Sequence, residues 1–220
     1  MGLGLSIQNT GTNEFEPWVK YDARAGRWFK MDRIEGAEGW QTKATDITMQ
    51  AVFVADFRNI NVGWVDFSAQ GPDYKMVPVG QPQPERPGVK HRQGFRLSLF
   101  SERNLDGSRV WMHNAKCVIN KIDALYDVVT AAPEYAAGQL PVIQMTGTES
   151  IRTEGKDDQG KKVVSTNYAP MFSIVQWVPS PFEAAPAVVV QQVTPVAVAA
   201  FNAPLPAATA PVATANGPLF

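Results

Sequence analysis

The chain has 220 residues, 45% of them hydrophobic, which is enough for a substantial core in one large domain or two small ones. Its 20 Lys and Arg against 21 Asp and Glu leave a formal charge of -1, so any polyanion site must be a local patch and not a global property. The single cysteine, Cys117, excludes an internal disulfide, and no apolar run before the proline-broken C-terminus reaches membrane-spanning length.

The start lacks the basic and apolar regions of a secretion signal, which gives the expectation of a soluble, cytoplasmic protein. Residues 1–14, rich in Gly, Asn and Thr, read as a flexible N-terminal arm. A folded domain over 15–180 then opens with Trp18–Tyr21, a turn over Asp22–Gly26, and Arg27–Met31. Two aromatic, β-prone runs joined by a short Gly-containing turn predict a hairpin. Gly36–Gly39 breaks the chain, and Ile47–Phe57 reads as a more central strand because it ends almost wholly apolar. Asn61–Phe67 and Tyr74–Val79 continue a meander.

The segment Gln81–Gly88 carries three prolines, which lack amide donors, so it predicts an extended loop and not a strand. It delivers the chain to Lys90, His91 and Arg92, the basic approach to a half-buried strand ending at Ser101. There Phe95, Leu97 and Leu99 alternate with Arg96, Ser98 and Phe100. Asn104–Gly107 supplies turn chemistry, and Arg109–Met112 is expected to pair back. Ala115–Ala132 is the one helix, with Asn114 as N-cap and Val118, Ile122, Leu125 and Val129 on a single core-facing stripe. Cys117 falls on this helix as a small apolar side chain. A helical turn at Pro133–Ala137, a strand at Leu140–Thr146, a polar hairpin tip or mobile loop over Gly147–Ser165, and a closing strand at Pro170–Val178 complete the domain. Residues 181–220, mostly Ala, Pro, Val, Thr and Gln, read as a disordered tail with an apolar tip at Pro218, Leu219 and Phe220, suited to docking in a partner's pocket.

Catalytic and cofactor chemistry leave little trace. Two histidines, His91 and His113, read as surface or rim residues without Cys/His metal spacing. No phosphate-binding glycine loop or nucleophile elbow is present, and neither an enzyme nor a bound cofactor is expected. What recurs is cations interleaved with aromatics, which suits single-stranded nucleic acid because aromatic faces stack on bases while cations track phosphates. The candidate contacts are Trp18, Lys20, Tyr21, Arg27, Trp28, Phe29 and Lys30 on the first hairpin, and Lys90, Arg92 and Arg96 around the later strand. Each residue singly also fits an ordinary core or solvent-facing role. The first hairpin, however, carries aromatics on both faces, so at least one lies outside the core.

A meander, one late helix and two closing strands resemble the OB-fold, and the Pro-rich tail with its hydrophobic tip resembles the tails of bacterial and phage single-stranded DNA-binding proteins. The run from Tyr168 to Pro179 is similar to the closing strand of phage proteins associated with replication and recombination. The resemblance implies a mainly β, OB-like antiparallel barrel with one amphipathic helix. It also implies non-sequence-specific binding of single-stranded DNA in phage-type replication or recombination, with replication or recombination proteins as partners of the tip and a possible homo-oligomer. This tail departs from the acidic tails of that family, having no acidic residue after Glu183. The competing expectation is a virion or other structural protein that does not bind nucleic acid.

Overall fold

A computed structural model describes residues 16–37, 39–68, 71–156 and 160–182. The chain divides into two units, 1–183 and 184–220, and the second lies outside the described residues. The expected N-terminal arm and the tip at Pro218, Leu219 and Phe220 lie outside them too.

The first unit is mainly β. Among its described residues ten strands follow in order: β1 (Trp18–Asp22), β2 (Arg27–Gly36), β3 (Gly39–Asp46), β4 (Val52–Ala55), β5 (Asn61–Asp66), β6 (Asp73–Pro78), β7 (Arg92–Ser101), β8 (Gly107–His113), β9 (Leu140–Lys156) and β10 (Lys162–Val178). Between them lie the short helices α1 (Glu102–Leu105) and α3 (Pro133–Ala136) and the main helix α2 (Lys116–Thr130). The sheet runs β10-β9-β4-β7-β8-β1-β2-β3, with β5 on β7 and β6 on β5.

Strand β7 organises this sheet because both of its edges are used. One edge pairs with β8 from Phe95 to Ser101; the other pairs with β5 through Arg92–Arg96 and with β4 through Leu99 and Phe100. Its alternation sends Phe95, Leu97 and Leu99 inward, as the sequence predicts, onto a cluster built around Trp28, Trp111 and Phe53. Trp28 and Trp111 meet at 4.5 Å between centroids, and Phe95 stands edge-on to Trp111 at 4.8 Å. Helix α2 lays Val118, Ile122, Leu125 and Val129 on the same core, the four residues of the predicted stripe. Burying each such side chain is worth roughly 1.5–3 kcal/mol.

At the far side of β8, Arg109 is buried yet fully engaged. It donates to the carbonyls of Leu105 and Met31 and to Asp32 at 2.6, 2.8 and 2.7 Å. A buried guanidinium keeps its charge only when its donors are satisfied in this way.

One end strand of the sheet, β10, approaches β1 and the β1–β2 turn without a ladder between them. Tyr168 N of β10 donates to Ala23 O in the β1–β2 turn at 2.6 Å, and Tyr21 Oη donates to Tyr168 O at 2.8 Å. Gly26 makes this approach possible: its φ is +66°, and a Cβ there would sit 3.1 Å from Tyr168 Cβ. Among the described residues β10 pairs with β9 alone, so the sheet is open.

Several elements differ from expectation. β3 is absent from the sequence reading, since all of its side chains but Thr45 are exposed and no apolar period marks it. The expected strand over Ile47–Phe57 reduces to a 3-10 turn at Thr48–Gln50 followed by the four residues of β4. Of the two alternatives for Gly147–Ser165 it is the hairpin that forms, and not a mobile loop, but with a longer paired arm than a tip: β9 and β10 pair as far as Lys156 and Lys162. The expected turn at Asn104–Gly107 overlaps the end of α1, which is capped by Ser101 and ended by Asp106 in the left-handed region. Asn114 is not the cap of α2, whose N-cap is Ala115, with no side-chain hydrogen bond. No described helix is long and apolar enough to cross a membrane.

Candidate nucleic-acid interface

Period-two alternation divides β1 into an inner pair and an outer pair. Val19 and Tyr21 are 2% exposed, whereas Trp18 and Lys20 turn outward. Registry extends that outer face: Trp18 lies opposite Met31 of β2 and Val110 of β8, and Lys20 lies opposite Phe29. Facing this surface is the end of the β5–β6 hairpin, where Phe67 and Tyr74 are each 46% exposed.

Between them runs a groove of about 610 Å³ lined by Trp18, Lys20, Met112, Phe67, Pro72 and Tyr74, with Glu16, His113 and Asn114 also on its walls. A second recess of about 450 Å³ shares Phe67 and Asn114 with it and adds Asp66, Lys90 and Arg92. The two share walls, so three aromatics and three cations from four separate parts of the chain border one depression.

Local chemistry fixes these walls. Gly63 and Gly94 are direct partners across β5 and β7, and both are buried. A Cβ on Gly63 would clash with Lys75 O, and one on Gly94 would meet Val65 Cγ1 at 2.6 Å and His113 O at 2.7 Å. Glycine at both positions lets β6 and the end of β8 close over this crossing. The proline loop is tied to β5 by Trp64, whose indole N–H donates to Pro84 O at 2.8 Å, with Arg86 over its ring at 5.6 Å. His91, buried between Lys90 and Arg92, sets its Nε2 3.3 Å from Asp73 Oδ2 at the hairpin without completing a hydrogen bond.

His113 is held neutral in the groove wall. Its Nδ1 accepts from Ala115 N at 2.9 Å, which leaves the proton on Nε2, 3.2 Å from Tyr21 O. Burial pushes its pKa down to about 4, against a smaller upward pull from the Tyr21 carbonyl. Asp66 is held below the ordinary carboxylate range chiefly by the Ser68 hydroxyl and amide. The depression therefore carries fixed negative charge from Asp66 beside its cations. No group of three or more metal-ligating side chains occurs among the described residues.

The structure sorts the predicted contacts. Trp18, Lys20, Lys90 and Arg92 come together at the groove and its adjoining recess. Phe29, half-buried, lies one strand away on the same outer face, and exposed Arg27 sits 3.3 Å from Asp46. Arg96 is ion-paired with Glu16. Lys30 shares the other face with Val19 and is tied to Asp106 at 2.5 Å and Asp32 at 3.6 Å. Tyr21 and Trp28 are corrected outright: at 2% and 0% exposure they are core residues, and neither offers a face to a base. His91 is likewise buried, not a surface residue.

Phe67 and Tyr74 are additions to the candidate contacts: Tyr74, beside Lys75, belongs to the recurring pattern of cations and aromatics, whereas Phe67 was passed over. Their signal was two large aromatics flanking the Gly71-Pro72-Asp73 turn. No known protein family, no curated protein and no solved structure matches this chain.

Proposed function

We propose that the protein binds single-stranded DNA without reading its sequence, seating the strand in the groove between β1 and the β5–β6 hairpin. The observation that carries this reading is the convergence of Trp18, Phe67 and Tyr74 with Lys20, Lys90 and Arg92 around one depression. Half-buried Trp18 and exposed Phe67 and Tyr74 beside cations fit unstacked bases and their phosphates, each stacked base contributing roughly 1–3 kcal/mol. The fold is read as an OB-like barrel, with α2 preceding the closing β9–β10 pair and the Tyr168–Ala23 hydrogen bond bringing β10 to the β1–β2 turn. A role in phage-type replication or recombination, with the Pro218–Phe220 tip as a docking peptide, extends the same reading.

Tryptophan-fluorescence titration with oligo-dT tests it. The expected result is salt-sensitive quenching, with Trp18→Ala and Tyr74→Ala each weakening binding about 5- to 150-fold. Salt-insensitive or absent binding refutes the proposal. A large, DNA-indifferent particle in light scattering would favour a structural role instead.

A further inference from the structure

Trp40 is 61% exposed on β3, a strand whose other side chains are polar apart from Ala44. An exposed tryptophan alone means little, but two observations single this one out. The Arg33 guanidinium lies over its ring, 4.7 Å from the centroid, so the indole is steadied by a cation while staying open to solvent. Registry also places Trp40 opposite Glu35 on β2, and from there Arg33, Met31 and Phe29 step back along the same face. Met31 is opposite Trp18. The two tryptophans therefore share one face of the sheet, four residues along the strand and two strands across. At about 3.4 Å per residue and 4.8 Å per strand, that separates them by about 17 Å.

The geometry points to Trp40 as a second stacking platform for the strand that occupies the groove, with Arg33 beside it for a phosphate. This rests on the DNA-binding reading and deepens it: the bound strand leaves the groove at Trp18, crosses β2 over Met31 and ends on the β2–β3 hairpin. A strand spanning about 17 Å covers about five nucleotides at the 3.4 Å spacing of stacked bases.

The test compares wild type, Trp40→Ala, Trp40→Tyr and Trp18→Ala in binding oligo-dT of about 12 nucleotides and an abasic deoxyribose-phosphate oligomer of the same length. Trp40→Ala is expected to bind oligo-dT at least about fivefold more weakly with an unchanged salt slope, while Trp40→Tyr keeps most of the affinity. The abasic oligomer, having no base to stack, is expected to bind wild type and Trp40→Ala alike. If Trp18→Ala weakens binding but Trp40→Ala does not, the second platform is refuted and the groove stands. Wild type that fails to bind oligo-dT overturns both. If Trp40→Ala weakens the abasic oligomer equally, or changes only the oligomeric state, the indole supports the hairpin or a second copy and the inference fails.

Discussion

Replacing Lys20, Lys90 and Arg92 together by Gln removes the cations that border the groove and its recess while leaving the core untouched, because all three are exposed. Among the described residues Lys90 and Arg92 take part in no ion pair, and Lys20 reaches Asp22 only at 3.8 Å. Each is therefore placed to meet a phosphate. On a single strand each phosphate contact contributes about 0.7 to the slope of log affinity against log salt, so the three together account for about 2. Between about 50 and 200 mM salt, that slope corresponds to an affinity loss of about 20-fold in the wild type which the triple variant lacks. Lys30→Gln is the matched control, since Lys30 is turned to the opposite face and committed to Asp106 and Asp32. Fluorescence titration against oligo-dT at four salt concentrations reads the slopes. A triple variant with the wild-type slope, or a Lys30→Gln slope reduced by as much as the triple, would refute the placement of the strand.

Two further predictions concern the scaffold. Gly94→Ala pushes a methyl into Val65 and the His113 carbonyl, and urea denaturation should show a loss of about 1–3 kcal/mol, whereas Gly71→Ala, with nothing within 4 Å, should stay within about 0.5 kcal/mol. His113 has its pKa lowered from 6.5 to about 4, so below pH 6.5 the unfolded chain takes up a proton that the folded chain refuses. Stability should therefore fall as pH drops from about 6.5 towards 4, by up to about 3 kcal/mol. His113→Gln should remove that part of the dependence in denaturant titrations at stepped pH, and an unchanged profile would show that His113 is not held neutral.

How much of this was legible in the sequence depends on how local each signal is. The stripe of Val118, Ile122, Leu125 and Val129 was readable because a 3.6-residue period is written within four turns of one segment, and all four are buried. The alternation of Phe95, Leu97 and Leu99 was readable for the same reason. β3 was not: as an edge strand with water on both faces it is held by backbone pairing to β2, and pairing leaves no mark in side-chain polarity. The paired arm beyond Gly147 is hidden for that reason too.

The site was half legible, and the division falls at one step of reasoning. Alternation showed that Trp18 and Tyr21 point to opposite sides of β1, as do Trp28 and Phe29 on β2. It could not say which side is inward. That is decided by Trp111 and Phe53, which come from distant strands to fill the space beside Trp28. Once the inward side is set, Trp18, Lys20 and Phe29 are outward by registry alone. The groove itself needed one more non-local fact, that the end of the β5–β6 hairpin, with Phe67 and Tyr74, lines the wall opposite Trp18 and Lys20. The opposed pair Gly63 and Gly94 is the trace in the sequence of the crossing that holds this hairpin on β7. Two glycines inside strands otherwise weaken a sheet, and their presence is accounted for by the backbone passing within 3 Å of where each side chain would be. The weak point in the strand pattern is therefore what lets β6 and the end of β8 close over the β5–β7 crossing beside the groove.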